Sequence, residues 1–366
     1  MRKSASALLA IALILTTLGV VILFSTSSSH FYRQVGFVAV AIALCVLVIR
    51  VPYQKWRLLA LFVGLGAVVL LIMTAIPGVG IEINGSRRWL KFGPVNVQPS
   101  EIAKFALILL MARWLSDHQR YIKTIKQGVV IPGAIILLFA FLIMLQPDYG
   151  TTVLLGAIGV AMMFAGGTRF GYLLIMAAAG AGAIAYMVSK NPVRMRRIMA
   201  FLHPEEFADT EGFQLLQAIY AFVIGGFGGV GLGDSLQKKS YLPEAHTDFI
   251  LAILGEELGF LASFSVISLF AAFFTIGLLV SYKLEDVYAR LLAFGLTMMI
   301  SVQAAINIGV VTGCLPTKGL PLPFISYGGT SIVMTMVMVG VLVNVAYQGN
   351  QDQPASRRHG RRDLET

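Results

Sequence analysis

Residues 241–259, YLPEAHTDFILAILGEELG, place Glu244, His246, Asp248, Glu256 and Glu257 across the boundary between a polar loop and an apolar run that continues to about residue 281. A run of that length crosses a bilayer. Ionisable side chains at or inside a membrane are costly, so they mark a functional site by default. Taken as loop entering membrane, this stretch decides both the fold class and where chemistry is to be sought.

Composition agrees with that reading. The chain is 57% hydrophobic and only 13% charged, with a mean hydropathy of +0.80. A soluble fold of 366 residues needs more polar surface than this, so a water-soluble enzyme is excluded. The net charge of +10 is scattered between apolar runs and not gathered in one basic domain, which argues against nucleic acid and for topology plus an anionic, lipid-linked partner. Cys45 and Cys314 fall near opposite membrane surfaces, too far apart for a disulfide. The histidines form no i, i+4 pair, so no zinc site is expected.

Apolar runs near 5–24, 35–49, 57–76, 100–116, 128–146, 151–166, 170–188, 249–281, 288–312 and 327–347 predict ten transmembrane helices. The first follows Arg2 and Lys3 like a signal peptide but is long enough to span, and it is read as a retained helix. An even count puts both termini on one side. The Lys/Arg bias of the short connections makes that side cytoplasmic. The expected fold is an all-α polytopic membrane protein: a single transmembrane domain over 1–347, a large extracytoplasmic loop at about 189–248, and a disordered basic tail at 348–366 that meets anionic lipid or a partner.

Two outer loops are basic although topology does not require it, as expected if they hold a phosphate-bearing ligand. In the loop 77–100, Arg87, Arg88 and Lys91 fit either headgroup anchoring or ligand contact. Gln98 precedes Ser100 and Glu101, which resemble a helix start and set Lys104 one turn inside the next span. A charge there favours function. Asp148, in the turn QPDYG, either caps the sixth helix or serves the site. The loop 189–248 opens with Lys190, Arg194, Arg196 and Arg197 and later becomes glycine-rich. Its Gly226, Gly228 and Gly231 spell G-x-G-x-x-G, yet no strand–helix–strand unit surrounds them, so a dinucleotide site is rejected. The spacing Gly225, Gly229, Gly233 suits close packing of a short half-inserted helix instead. Irregular backbone between the last two spans predicts a cavity-lining loop in which Lys318 and Ser326 face the cavity.

Within the opening stretch, Thr247 or Asp248 stands where a helix N-cap belongs, and a cap is the plain alternative to a catalytic role. A partly buried carboxylate there can also accept a proton from a substrate hydroxyl. Glu256 and Glu257 point to different helix faces, with Lys104 or Lys318 as candidate counter-ions.

The motifs INGSRRW, QPSEIAK, QPDYGT, YLPEAHTDFILAILGEELG and INIGVVTGCLPTKGLPLPFISYGG resemble, in order and content, the SEDS family (shape, elongation, division and sporulation) over about 5–347. LPEAHTDF with GEELG is more similar to its cell-division branch than to its elongation branch. Cys314 and Thr330 depart from the family pattern without touching the chemistry. The resemblance implies a peptidoglycan glycosyltransferase that polymerises lipid II at the outer face of the inner membrane during septal synthesis. It would work with a class B penicillin-binding protein and other division proteins. The family's essential aspartate falls on Asp248. Arg87, Arg88, Lys104, Lys318, Ser326, His246 and Glu244 are then expected around lipid II or its pyrophosphate. Glu256, Glu257, Asp148, Gln98 and Ser100 are expected as supports. A divalent cation, Mg or Mn, is an open expectation, and no dedicated metal cage is foreseen. A lipid II flippase and a division scaffold are the alternatives.

Overall fold

The computed structural model describes residues 1–83, 86–93, 95–238 and 242–348. The expected basic tail from Gly349 onward lies outside the described residues, as do Lys239 and Tyr241. All ten expected spans are helices: α1 (Arg2–Thr26), α2 (Ser28–Ile49), α3 (Tyr53–Ala75), α4 (Pro99–Asp117), α5 (Ile131–Met144), α6 (Tyr149–Ala165), α7 (Phe170–Ser189), α10 (Ile250–Lys283), α11 (Val287–Val311) and α12 (Gly329–Gln348). Eight helices among the described residues are long and apolar enough to cross a membrane. The two expected spans outside that set are α6, with 17 residues, and α4, whose 19 residues include Glu101, Lys104, Arg113 and Asp117.

Helix α4 tolerates those charges because it is central. It packs on α3, α11, α5 and α6, and its residues from Pro99 to Leu115 are mostly buried. Helices α11 and α12 share that interior position, whereas α7 buries only Leu173 and presents the rest of its apolar surface outward. The N-terminal helix is equally integral. It packs on α10, α12 and α2, and at Gly19 it comes so close that a Cβ would stand 2.6 Å from the Ile325 backbone.

One feature departs from the all-α expectation. The loop after α3 folds into a three-stranded antiparallel sheet, β1 (Gly80–Ile83), β2 (Ser86–Phe92) and β3 (Val95–Val97). Ile83 pairs with Ser86 across a two-residue connection whose Asn84-Gly85 lies outside the described residues, and Asn-Gly is the turn such a hairpin favours. The long outer loop contains two helices, α8 (Pro192–Leu202) and α9 (Phe213–Gly225). The second is the short glycine-flanked helix the sequence predicts. Gly225 and Gly229 lie against α10, where a Cβ would meet Gly255 O at 2.0 Å and Glu257 O at 2.2 Å, whereas Gly233 approaches nothing.

Helix α10 is broken at Gly259, whose φ of 78° and ψ of −171° leave the helical region. The glycine-rich segment repairs the break: Val230 and Gly231 donate backbone N–H groups to Glu256 O and Glu257 O at 3.0 and 3.1 Å, and Phe260 donates to Gly226 O at 2.9 Å. Free backbone groups at this depth would cost several kcal/mol each, so the patch lets a short upper half-helix, 250–258, stand on its own. That half-helix carries the opening stretch at its top. The connections after α1, α3, α5, α7 and α11 all gather at this same end.

Candidate functional site

Asp248 is the focus of that gathering. It sits in the turn just before α10, where the helix's N-cap is Phe249 and no side chain caps the N-terminus. The capping alternative is therefore set aside for both Thr247 and Asp248. Thr247 turns back instead, donating to Glu244 Oε2 at 2.7 Å. The Asp248 carboxyl is thus not spent on the helix end.

The backbone around Asp248 is fixed from three elements. Asn307 on α11 donates to Asp248 O at 2.8 Å and to Leu320 O at 2.7 Å, joining the aspartate turn to the loop after α11. Ser326 donates to Thr247 O at 2.6 Å and accepts from Leu322 N at 2.8 Å, while Tyr327 N donates to His246 O at 2.9 Å. The His246 ring stacks on His30 of α2 at 4.4 Å. Gly319 brings the loop onto the carboxylate itself, since a Cβ there would stand 2.7 Å from Asp248 Oδ2.

Burial pushes the Asp248 carboxyl up to about 7, helped by the negative charges of Glu244 and Asp148 and opposed by Arg88. A carboxylate in that range is matched to general-base work near neutral pH. The same interactions place Glu244, Asp148 and Arg88 around the group. Arg88 donates to Gln146 O at 3.0 Å and Pro147 O at 2.7 Å, so strand β2 is tied to the turn that carries Asp148. Asp148 does cap α6, accepting from Thr151 N at 3.1 Å and Thr151 Oγ1 at 2.8 Å. Lys318, next to Gly319, is half-buried, and desolvation lowers its pKa with no carboxylate contributing. Arg88 is the cation whose charge acts on Asp248, and Lys318 neighbours Gly319, the residue packed on the carboxylate.

Other expected site residues are placed differently. Lys104 is 1% exposed and bonds Glu101 Oε1 at 2.8 Å and Gln303 Oε1 at 2.7 Å; Gln303 in turn donates to Pro321 O at 2.8 Å. It supports the loop bearing Lys318 and does not face the cavity, a correction to its expected contact with pyrophosphate. Ser326 is likewise buried and spent on backbone groups, not turned to the cavity. Arg87 points away from Arg88 along the strand and pairs with Glu82 at 3.2 Å. A helix does start at Ser100 and Glu101 as expected, α4 beginning one residue earlier at Pro99, and Gln98 N donates to Thr330 Oγ1 at 3.1 Å.

The two glutamates of GEELG do not pair with Lys104 or Lys318. Glu256, fully buried, accepts from Ser235 Oγ, from Leu236 N at 2.8 Å and from Gln237 N at 3.3 Å. Glu257 meets Lys238 at 2.9 Å and accepts from Ser25 Oγ at the end of α1. Both therefore staple residues 235–238, where the Asp248 loop begins, to the upper half of α10. Lys238, Ser235, Asn307, Gln303 and His30 were missed in sequence because their partners lie far along the chain. Arg194, from the basic cluster, lies over the Tyr149 ring at 3.6 Å and holds α8 beside the top of α6. Among the described residues no three of His, Cys, Asp and Glu converge as metal ligands would.

The family model described as cell cycle protein, FtsW/RodA/SpoVE, matches residues 5–351. The chain is 39% identical over 350 residues to the probable peptidoglycan glycosyltransferase FtsW of Geobacter metallireducens, covering 93% of each protein. It is 38% identical over 351 residues to stage V sporulation protein E of Bacillus subtilis, covering 93% of this chain and 96% of the other. Among solved structures, a chain from a study of polymerization and crosslinking by a peptidoglycan synthase complex superposes with a TM-score of 0.82 at 26% identity, covering 94% of this chain and 98% of that one. The rod shape determining protein RodA of Thermus thermophilus superposes at 0.72 and 26% identity, covering 94% and 97%. An uncapped, desolvated aspartate held by the outer loops of a ten-helix bundle is thus set in a recognised framework: the chain belongs to the FtsW/RodA/SpoVE family of multi-pass membrane proteins.

Proposed function

We propose that the protein is a peptidoglycan glycosyltransferase that polymerises lipid II at the outer face of the cytoplasmic membrane, in septal wall synthesis, with Asp248 as general base. The observation that carries this reading is the Asp248 carboxyl itself, not spent on a helix cap, pushed up to about 7 by burial, acted on by Arg88 and packed against Gly319 of the loop that bears Lys318. Asp248 takes the proton of the acceptor sugar's 4-hydroxyl as its oxygen attacks the donor's anomeric carbon. The bond from that carbon to the diphosphate oxygen breaks, and undecaprenyl diphosphate leaves with the electron pair. Arg88 and Lys318 stabilise the charge gathering on the diphosphate, which is often the largest catalytic contribution. A Mg or Mn ion, where used, enters with the diphosphate as part of the substrate.

The partner in this reading is a class B penicillin-binding protein that crosslinks the new strands, together with other division proteins. A test combines the purified protein, its crosslinking partner and labelled lipid II in vesicles. Glycan chains are the expected product. Movement of lipid II between leaflets without chain formation would make the protein a flippase, and neither activity would leave a scaffold.

A further inference from the structure

A cavity of about 430 Å³ opens on the Arg87 side of strand β2. It is lined by Ala75, Glu82, Ser86, Arg87, Leu145 and Pro147. Its size lies within the range of small-ligand sites. The alternation of the strand puts Arg87 into this cavity and Arg88 on the opposite side, so the two sites share one wall, made by β2 and the turn 145–148. They differ in charge. Arg88 and Lys318 suit a diphosphate, whereas Arg87 is neutralised by Glu82.

We infer that this cavity binds uncharged sugar units of the growing glycan strand, behind the pair of sugars reacting at Asp248. The inference rests on the glycosyltransferase reading above. The Glu82–Arg87 pair offers adjacent acceptors and a guanidinium fork, the complement of neighbouring ring hydroxyls. Ser86 adds a hydroxyl, and Ala75 and Leu145 give an apolar wall for the C–H face of a sugar ring. A neutral lining would bind a diphosphate poorly. The cavity is separated from Asp248 by the thickness of the shared wall, so it cannot hold the reacting atoms. Of the molecules in the reaction, the growing strand is the one that carries further sugar rings beyond the reacting disaccharides.

Glu82 and Arg87 face each other across the hairpin, so a cross-strand pair that merely steadies β1 and β2 is the competing account. Both side chains are about half exposed, and such pairs contribute little to stability. The experiment uses the full chain with its crosslinking partner, the neutral N-acetylglucosamine tetrasaccharide as probe, and the variants Glu82→Gln, Arg87→Gln and the exchanged pair Glu82→Arg/Arg87→Glu. Binding is measured in an Asp248→Asn background. Each single variant raises the tetrasaccharide Kd by about tenfold, and in otherwise native protein shortens the strands made per sugar incorporated. The exchanged pair restores the hairpin's ion pair but not the binding. Equal Kd in all variants, or full recovery of Kd and strand length in the exchanged pair, overturns the inference. Polymerisation by the Asp248→Asn background itself would instead overturn the glycosyltransferase mechanism on which it rests.

Discussion

At Gly319 the loop backbone touches the carboxylate that the mechanism depends on. A methyl group there would sit 2.7 Å from Asp248 Oδ2, and the residue's φ lies outside the left-handed region, so alanine fits the backbone while crowding the base. Gly319→Ala is expected to lower lipid II turnover by about 10²-fold, since misplacement on that scale disrupts reactive geometry, with thermal unfolding unchanged. The charge environment gives a second prediction. The base must be deprotonated, so the rate rises with pH through the Asp248 pKa, near 7. Glu244 raises that pKa and Arg88 lowers it. Glu244→Gln is therefore expected to move the acid limb of the pH–rate profile to lower pH, and Arg88→Gln to move it to higher pH. A limb fixed in all three proteins would remove Asp248 from the titration.

At the scale of elements, α4 and α10 each contain buried charge and solve it differently. Lys104 on α4 depends on Glu101 and Gln303. Lys104→Met leaves Glu101 buried without its cation and is expected to cost about 3–5 kcal/mol, most of it recovered when Glu101→Leu is added. Thermal unfolding of the two variants in detergent measures the difference. Helix α10 depends on the glycine contact. Gly225→Ala, with its Cβ 2.0 Å from Gly255 O, is expected to undock α9 and lower the yield of folded protein, while Gly228→Ala, which meets nothing within 4 Å, is expected to be silent. The helices were legible in the sequence because bilayer-length apolar runs leave little choice. The sheet was not, because Gly80–Ile83 and Ser86–Phe92 are short and sit between turn residues that equally suit an irregular loop. The function of Lys104 was half legible. A charge inside a span announces importance, but Gln303 lies 199 residues away, and only the fold shows that Lys104 braces a loop. Glu256 and Glu257 were recognised as supports, yet their partners at 235–238 lie in a segment with no periodic signal.

For the molecule as a whole, the arrangement separates labour along the membrane normal. Buried α4, α11 and α12 form the fixed centre, and the connections at one end converge on Asp248 from every side. The half-helix above Gly259 is clamped by Glu256 and Glu257. This converts a costly cluster of ionisable residues into one carboxylate at the loop junction, with Glu256 and Glu257 engaged by residues 235–238. The central claim is that this carboxylate is the base of glycan polymerisation. The direct measurement is lipid II polymerisation by purified Asp248→Asn protein with its crosslinking partner, against the native chain. The account predicts a fall of about 10²- to 10⁴-fold, to background, with normal folding and partner binding. Polymerisation at the native rate would contradict it.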